Sequence, residues 1–227
     1  MRRDALADRV FEAVLTIILD GELPTGSALN IDALARRFDV SSTPVREALA
    51  RLEATGMVRR EAHRGYRIAP APTAADIDAL MTTRQILEPA NAYLACGIDT
   101  DALVVDLTAV NSELDDARGG DTFAEYRAYW KADEHFHRLI AVAAGNPFLL
   151  QAYGAVEGHI QRFRLLIHSD DMSGEHAVEE HRAIIEALES RHAAAARAAM
   201  AAHIEGIRER SAKLAVFGGA KADGSAS

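Results

Sequence analysis

The stretch that decides the fold is residues 41–52, SSTPVREALARL. Val45, Ala48, Leu49 and Leu52 recur at i, i+3, i+4 and i+7, which gathers them into one apolar stripe of a helix, ready to pack on a core. Ser42, Thr43, Arg46 and Ala50 fall towards the other side. Small, hydroxyl and guanidinium groups there suit a phosphate backbone and base edges. Ser41, Ser42 and Thr43 compete as N-caps, and Pro44 sits in the first turn, where a missing N–H costs nothing. Thr55-Gly56 closes the segment. The pattern predicts a DNA-recognition helix.

The flanking sequence supplies its setting. Residues 4–19 read as a helix with Leu6, Val10, Val14, Ile17 and Ile18 inward, capped by Gly21 and followed by the turn GELPTG. Residues 30–38 read as a short helix with Asn30 as N-cap and Ile31, Leu34, Ala35 and Phe38 inward. Asp39-Val40 is the tight turn into 41–52. Beyond it, Met57–Arg60 and Tyr66–Ile68 are two strand-like runs joined by a polar segment containing Gly65, a β-hairpin. Three helices, a tight turn before the third and then a hairpin make a winged helix-turn-helix.

Residues 4–69 resemble the DNA-binding domain of the GntR family of bacterial transcription regulators. The resemblance rests on G-x-L-P-x-G at 21–26, Leu34-Ala35, TPVREAL at 43–49, RLEATG at 51–56 and Gly65. It implies DNA contact by Ser42, Thr43, Arg46, Arg64 and Gly65. The alternative for Arg46 is an ion pair with Glu47 or Glu53 on a solvated face. Family members commonly carry Arg where this chain has Ser42, a loss worth ~1–3 kcal/mol of base or phosphate contact or a shift in operator preference.

Residues 69–75, APAPTAA, read as a linker with Thr73 as the next N-cap. From 74 to about 215 the periodicity is helical, with helices expected near 74–98, 101–117, 121–144, 147–168, 175–190 and 193–215. Short connections between long amphipathic helices mean an antiparallel bundle. The expected fold class is thus mainly α. Its parts are a winged helix-turn-helix DNA-binding domain at 1–69, a linker at 70–75, an all-α bundle binding metal and effector at 76–216, and a disordered Gly/Ala/Ser-rich tail at 217–227.

Charge divides the same way. The net charge of −9 over 227 residues argues against a nucleic-acid partner, but residues 1–70 hold 11 Arg against 10 acids, so the acidity belongs to the second part. One cysteine, Cys96, excludes an internal disulfide and suits a reducing compartment; its neighbours Tyr93, Leu94 and Ile98 suggest a buried small hydrophobe. The N-terminus has acids where a signal peptide needs an apolar run, and no stretch approaches membrane-spanning length, so a soluble cytoplasmic protein is expected.

Eight of the nine histidines lie beyond residue 134. Asp133 and His137 are i and i+4 on one helix, His181 and His203 lie on two later helices, and each sits beside an apolar stripe. Histidines from three helices with one carboxylate are what a bundle needs for a mononuclear metal, though an inward His is often only a hydrogen-bonded core residue. Residues 74–215 resemble the FCD domain, the C-terminal ligand-sensing domain of FadR-like GntR regulators. The resemblance rests on R-x-x-x-E at Arg84 and Glu88, D-x-x-x-H at 133–137, GNP at 145–147 and the two later histidines. Metal-binding members use one Asp and three His at these positions, which implies a divalent metal at Asp133, His137, His181 and His203. Zn²⁺, Ni²⁺ and Mn²⁺ all suit that ligand set.

Four protein ligands close a tetrahedral ion but leave two positions on an octahedral one, where a small carboxylate effector could complete the sphere. Arg84 is the expected effector anchor, its alternative being an ion pair with Glu88; Arg127, Arg162 and Arg164 are further possibilities. His135, His159, His168, His176 and His192 are expected to be exposed or capping, and Trp130 to pack in a core or interface. The leading reading is a homodimeric, ligand-responsive regulator, a repressor in the commoner arrangement, on palindromic double-stranded operator DNA. The rival is a helical-bundle metallohydrolase or oxygenase using the same Asp/His site. Glu134-x-x-His137 matches half of a di-iron motif, but a second Glu-x-x-His within another helix is lacking, since Glu189-x-x-His192 spans the Ser190-Arg191 corner.

Overall fold

The computed structural model describes residues 2–19, 22–62, 64–97, 100–117, 123–166 and 174–222. The elements run α1 (Arg2–Leu19), β1 (Ala28–Leu29), α2 (Ile31–Arg37), α3 (Ser42–Ala54), β2 (Val58–Glu61), β3 (Gly65–Ile68), α4 (Ala74–Ala95), α5 (Thr100–Asp116), α6 (Phe123–Ala143), α7 (Pro147–Leu166), α8 (Gly174–Glu189) and α9 (Ala193–Ala222). They form two compact units, Met1–Pro72 with Gly158–Leu166, and Thr73–Glu157 with Ile167–Ser227.

In the first unit α1 and α2 pack on α3. Val45, Ala48, Leu49 and Leu52 are fully buried, as the stripe in 41–52 requires. On α1, Val10, Val14 and Ile17 are buried as expected, but Leu6 and Ile18 are only half-buried, and Ala7 and Leu15 take the inner positions instead. On α2, Leu34 and Ala35 are buried while Ile31 and Phe38 stay at the rim. Asn30 caps α2, its Oδ1 accepting from Ala33 N at 2.9 Å. Asp39 takes φ +52°, a left-handed conformation that Asp tolerates, and thereby makes the tight turn into α3. Ser41 is the N-cap of α3 by backbone position, without a side-chain hydrogen bond.

The hairpin is present, in register Val58↔Ile68 and Glu61↔Gly65, and a third strand pairs on its other edge. This strand, β1, is two residues long, with Leu29 opposite Tyr66. Gly65 at φ +78° starts β3 from a backbone shape that other residues adopt only with strain.

The second unit is all helix among the described residues. A capping box starts α4: Thr73 Oγ1 accepts from Asp76 N, and Asp76 Oδ2 accepts from Thr73 N. The extensive contacts are α4 with α9, α5 with α6 and α8, α8 with α9, and α4 with α6. Ile77, Met81, Leu107, Leu114, Phe136, Ile140, Ile184, Leu188 and Ile204 fill the core, joined by Trp130. Cys96 is half-buried at the α4 C-cap, and Tyr93 and Leu94 are exposed, so the reading of Cys96 as a core residue does not hold. That stretch of α4 is apolar on several sides, and the side that is buried carries Arg84, Glu88 and Asn91. The C-terminal helix runs on to Ala222, past the expected start of a disordered tail at 217, because the alanine-rich sequence contains no proline to stop it.

Candidate metal centre and DNA-binding face

Asp133 and His137 stand one turn apart on α6, and α8 and α9 contribute His181 and His203. All four side chains are buried, and one ligand atom from each lies within 4.8 Å of the others. Asp133 Oδ1 is 3.4 Å from His181 Nε2 and 3.9 Å from His137 Nε2, while His137 Nε2 and His203 Nε2 are 3.2 Å apart. Phe136 holds the His181 ring by parallel stacking at 3.8 Å.

The outer nitrogens of two imidazoles meet carboxylates. His203 Nδ1 is 2.8 Å from Glu180 Oε2, and His137 Nδ1 makes a close but bent approach of 2.7 Å to Glu88 Oε2. Each carboxylate is held in turn by an arginine. Arg84 Nε donates to Glu88 Oε1 at 2.6 Å, and Arg210 donates to both Glu180 oxygens at 2.7 and 2.9 Å. Burial pushes the Glu88 carboxyl up, but the charges of Arg84 and His137 and their hydrogen bonds carry it well below the usual carboxylate range. Glu180 is likewise lowered against its burial, by hydrogen bonds from His203 and Arg210. Burial lowers His203, outweighing the Glu180 contact, and so favours the neutral imidazole.

These contacts test whether the residues fit a cation. An ionised carboxylate only accepts, so Glu180 takes the Nδ1 proton of neutral His203 and leaves its Nε2 as a lone pair. His137 presents Nδ1 to Glu88 in the same sense, so its Nε2 also points at the shared centre. The Nε2 atoms of His137 and His203 come within 3.2 Å of each other beside the Asp133 carboxylate. A divalent cation satisfies all of them at once, and the donor set suits one.

Arg84, expected to anchor an effector, is fully buried with its guanidinium on Glu88. Sequence reasoning named Glu88 only as that partner and missed Glu180, Arg210 and the contacts they make. The available signal was Glu180 directly preceding His181, with Arg210 two helical turns after His203. His135, His159, His176 and His192 are exposed; His168 and the side chains of Arg127 and Arg164 lie outside the described residues.

On the first unit, Ser42 and Thr43 are half-exposed in the first turn of α3, and Arg46 is exposed. Among the described residues Arg46 has no acidic partner, whereas Arg51 on the same helix is pinned by Asp8 at 2.5 Å. Arg64 and Gly65 are exposed at the hairpin turn.

The family model for bacterial regulatory proteins of the gntR family matches residues 6–68, and that for the FCD domain matches 79–206. The chain belongs to the GntR family. It is 30% identical over 213 residues to the HTH-type transcriptional regulator LutR of Bacillus subtilis, covering 85% of this chain and 95% of that protein. It is 29% identical over 190 residues to the "Probable D-xylose utilization operon transcriptional repressor" of Paenarthrobacter nicotinovorans, covering 84% and 81%. The fold matches that of McbR/YncC from E. coli with a TM-score of 0.66 at 20% identity, over 92% of this chain and 97% of that one. This GntR-family chain is a DNA-binding transcription regulator with an FCD domain, and the metalloenzyme alternative falls away. GntR regulators bind operator DNA and usually act as dimers. No helix among the described residues is long and apolar enough to cross a membrane.

Proposed function

We propose that this GntR-family regulator is a repressor whose hold on a palindromic operator is set by a small carboxylate metabolite, bound at a divalent metal in the FCD bundle. The observation that carries the reading is the convergence of buried Asp133, His137, His181 and His203 ligand atoms within 4.8 Å. Bound there, the ion supplies a fixed positive charge and a coordination position for an acid. Arg84 cancels Glu88 and Arg210 cancels Glu180, so with Asp133 the loaded site carries a net +1, which favours a monoanion. Arg84 retains N–H donors beyond those on Glu88 and can take an effector oxygen. The acid shifts operator affinity by favouring one arrangement of the two recognition helices in the dimer.

Stripping the metal with a chelator and re-adding Zn²⁺, Ni²⁺ or Mn²⁺ tests this. The sensing role fails if operator affinity, with and without a panel of small carboxylic acids, is the same in stripped and reloaded protein. The repressor assignment draws on the name of the Paenarthrobacter relative, and action on operator DNA in a bacterium implies a cytoplasmic protein.

The DNA face is Ser42, Thr43 and Arg46 of α3 with Arg64 and Gly65 of the wing. Arg46→Ala is expected to weaken operator binding by about 1–3 kcal/mol, on the order of 10–100-fold. A gel-shift titration that matches wild type would remove Arg46 from the interface. Ser42 gives this helix a hydroxyl where relatives commonly have a guanidinium, so its operator preference differs from theirs.

A homodimer is supported by α4, where Ile86, Tyr93 and Leu94 share one helix face and are 68%, 47% and 42% exposed. The double change Ile86→Glu, Tyr93→Glu is expected to give a monomer by light scattering at micromolar concentration and to reduce operator affinity at least about tenfold, since a lone half-site contact remains. A dimer that persists unchanged would move the interface elsewhere.

A further inference from the structure

Glu180 belongs to the same helix as a proposed ligand yet serves a different one. It directly precedes His181 on α8, and successive helix positions differ by about 100°, so the two side chains diverge. His181 turns to Asp133, and Glu180 turns to α9, where Oε2 meets His203 Nδ1 at 2.8 Å. Arg210, two turns beyond His203 on α9, closes on both Glu180 oxygens. Between them lies Gly206. A Cβ on Gly206 would fall 2.7 Å from Glu180 Oε1 and 2.9 Å from Arg210 Nη1, nearer than such atoms approach. A mid-helix glycine is conformationally costly, and here its missing side chain is the space that the Glu180–Arg210 pair occupies.

We propose that Glu180, clamped by Arg210 in the space left by Gly206, is a positioning residue for metal binding that holds His203 with Nε2 towards the shared ligand point. The inference rests on the metal reading of the preceding subsection and adds a role for three residues outside the ligand set. Its physical basis is that a metal-bound imidazole binds more tightly when its other N–H is fixed by a carboxylate. That bond sets the tautomer, the ring orientation and the basicity of the coordinating nitrogen. Arg210 keeps the carboxylate in place and spares the site an extra negative charge. Through this pair α8 presents one ligand and orients another, so the α8–α9 packing is built into the site. Arg84 and Glu88 stand in the same relation to His137, but there the approach is bent and the pair fully buried. Glu180 is the cleaner case, being a quarter exposed and hydrogen-bonded to its ring.

The test uses the full-length protein and Co²⁺ or Zn²⁺ alone, with affinity read by competition against a chromophoric chelator and the Co²⁺ site read from its visible absorption. Glu180→Ala is expected to lower affinity about 10–100-fold and to alter the Co²⁺ spectrum. Glu180→Gln, which accepts the N–H without balancing Arg210, should fall between Glu180→Ala and wild type. Gly206→Ala, with Glu180 itself intact, should reproduce the direction of the loss. Glu179→Ala, one residue away on the exposed side of α8, should bind as wild type does. If Glu180→Ala lacks native helical content, Gly206→Ala and Arg210→Lys decide. Wild-type affinity and spectrum in both Glu180→Ala and Gly206→Ala would overturn the positioning role alone. Failure of the wild type to bind, or binding that survives His203→Ala undiminished, would overturn the metal reading and this inference with it.

Discussion

His181→Gln is expected to lower Zn²⁺ affinity on the order of 10²–10³-fold while leaving the bundle folded. The ring is wholly buried, stacked on Phe136 and 3.4 Å from the Asp133 carboxylate. Glutamine nearly fills its volume, so no large cavity opens, but an amide oxygen replaces an imidazole nitrogen. Closed Zn²⁺ sites bind with ~10–16 kcal/mol, so one ligand of four is worth roughly 2.5–4 kcal/mol. A second readout follows from linkage. At a free Zn²⁺ concentration about 1,000 times the wild-type Kd the ion adds ~4 kcal/mol of stability, and a 100-fold weaker site loses ~2.7 of it. At roughly 2–4 °C per kcal/mol, the Zn²⁺-induced rise in Tm should largely disappear. Calorimetry with and without Zn²⁺ measures it, and a variant that keeps the wild-type rise would remove His181 from the ligand set.

What could be read from the sequence follows from the range of each interaction. Val45, Ala48, Leu49 and Leu52 announced α3 because helix amphipathicity is local. The hairpin was readable for the same reason, its strands bracketing a glycine turn. The two-residue β1 was not, since its existence depends on β3 and on no pattern of its own. Asp133 and His137 could be paired by their i, i+4 spacing, and His181 and His203 joined to them by their places beside apolar stripes, but only the family resemblance chose a metal site over hydrogen-bonded core histidines. Glu180 and Arg210 went unseen because their partners are set by which faces of α8 and α9 meet, and single-chain spacing does not encode that. The exposure of Tyr93 and Leu94 was missed for a related reason. A helix that is apolar on several sides does not state which side is inner, and α4 turns a charged pair inward.

That inward pair is the source of the second large effect. Glu88→Ala should destabilise the metal-free protein by about 3–5 kcal/mol, since it leaves the Arg84 guanidinium buried without its counter-charge. At roughly 2–4 °C per kcal/mol, Tm should fall by about 6–20 °C, measured by calorimetry in chelator. The loss does not mean that the pair is a net source of stability. Burying two charges costs several kcal/mol each before their attraction is counted, so the double variant Arg84→Met, Glu88→Leu should recover most of the lost Tm. Its Zn²⁺ affinity should stay below wild type, because His137 then lacks the carboxylate at its Nδ1. Divergence of the two readouts, with stability restored and metal binding not, would mean that Arg84 and Glu88 serve the site rather than the fold. If the double variant instead remained as unstable as Glu88→Ala, the pair would be a packing element of α4, and the case for its service to His137 would fall.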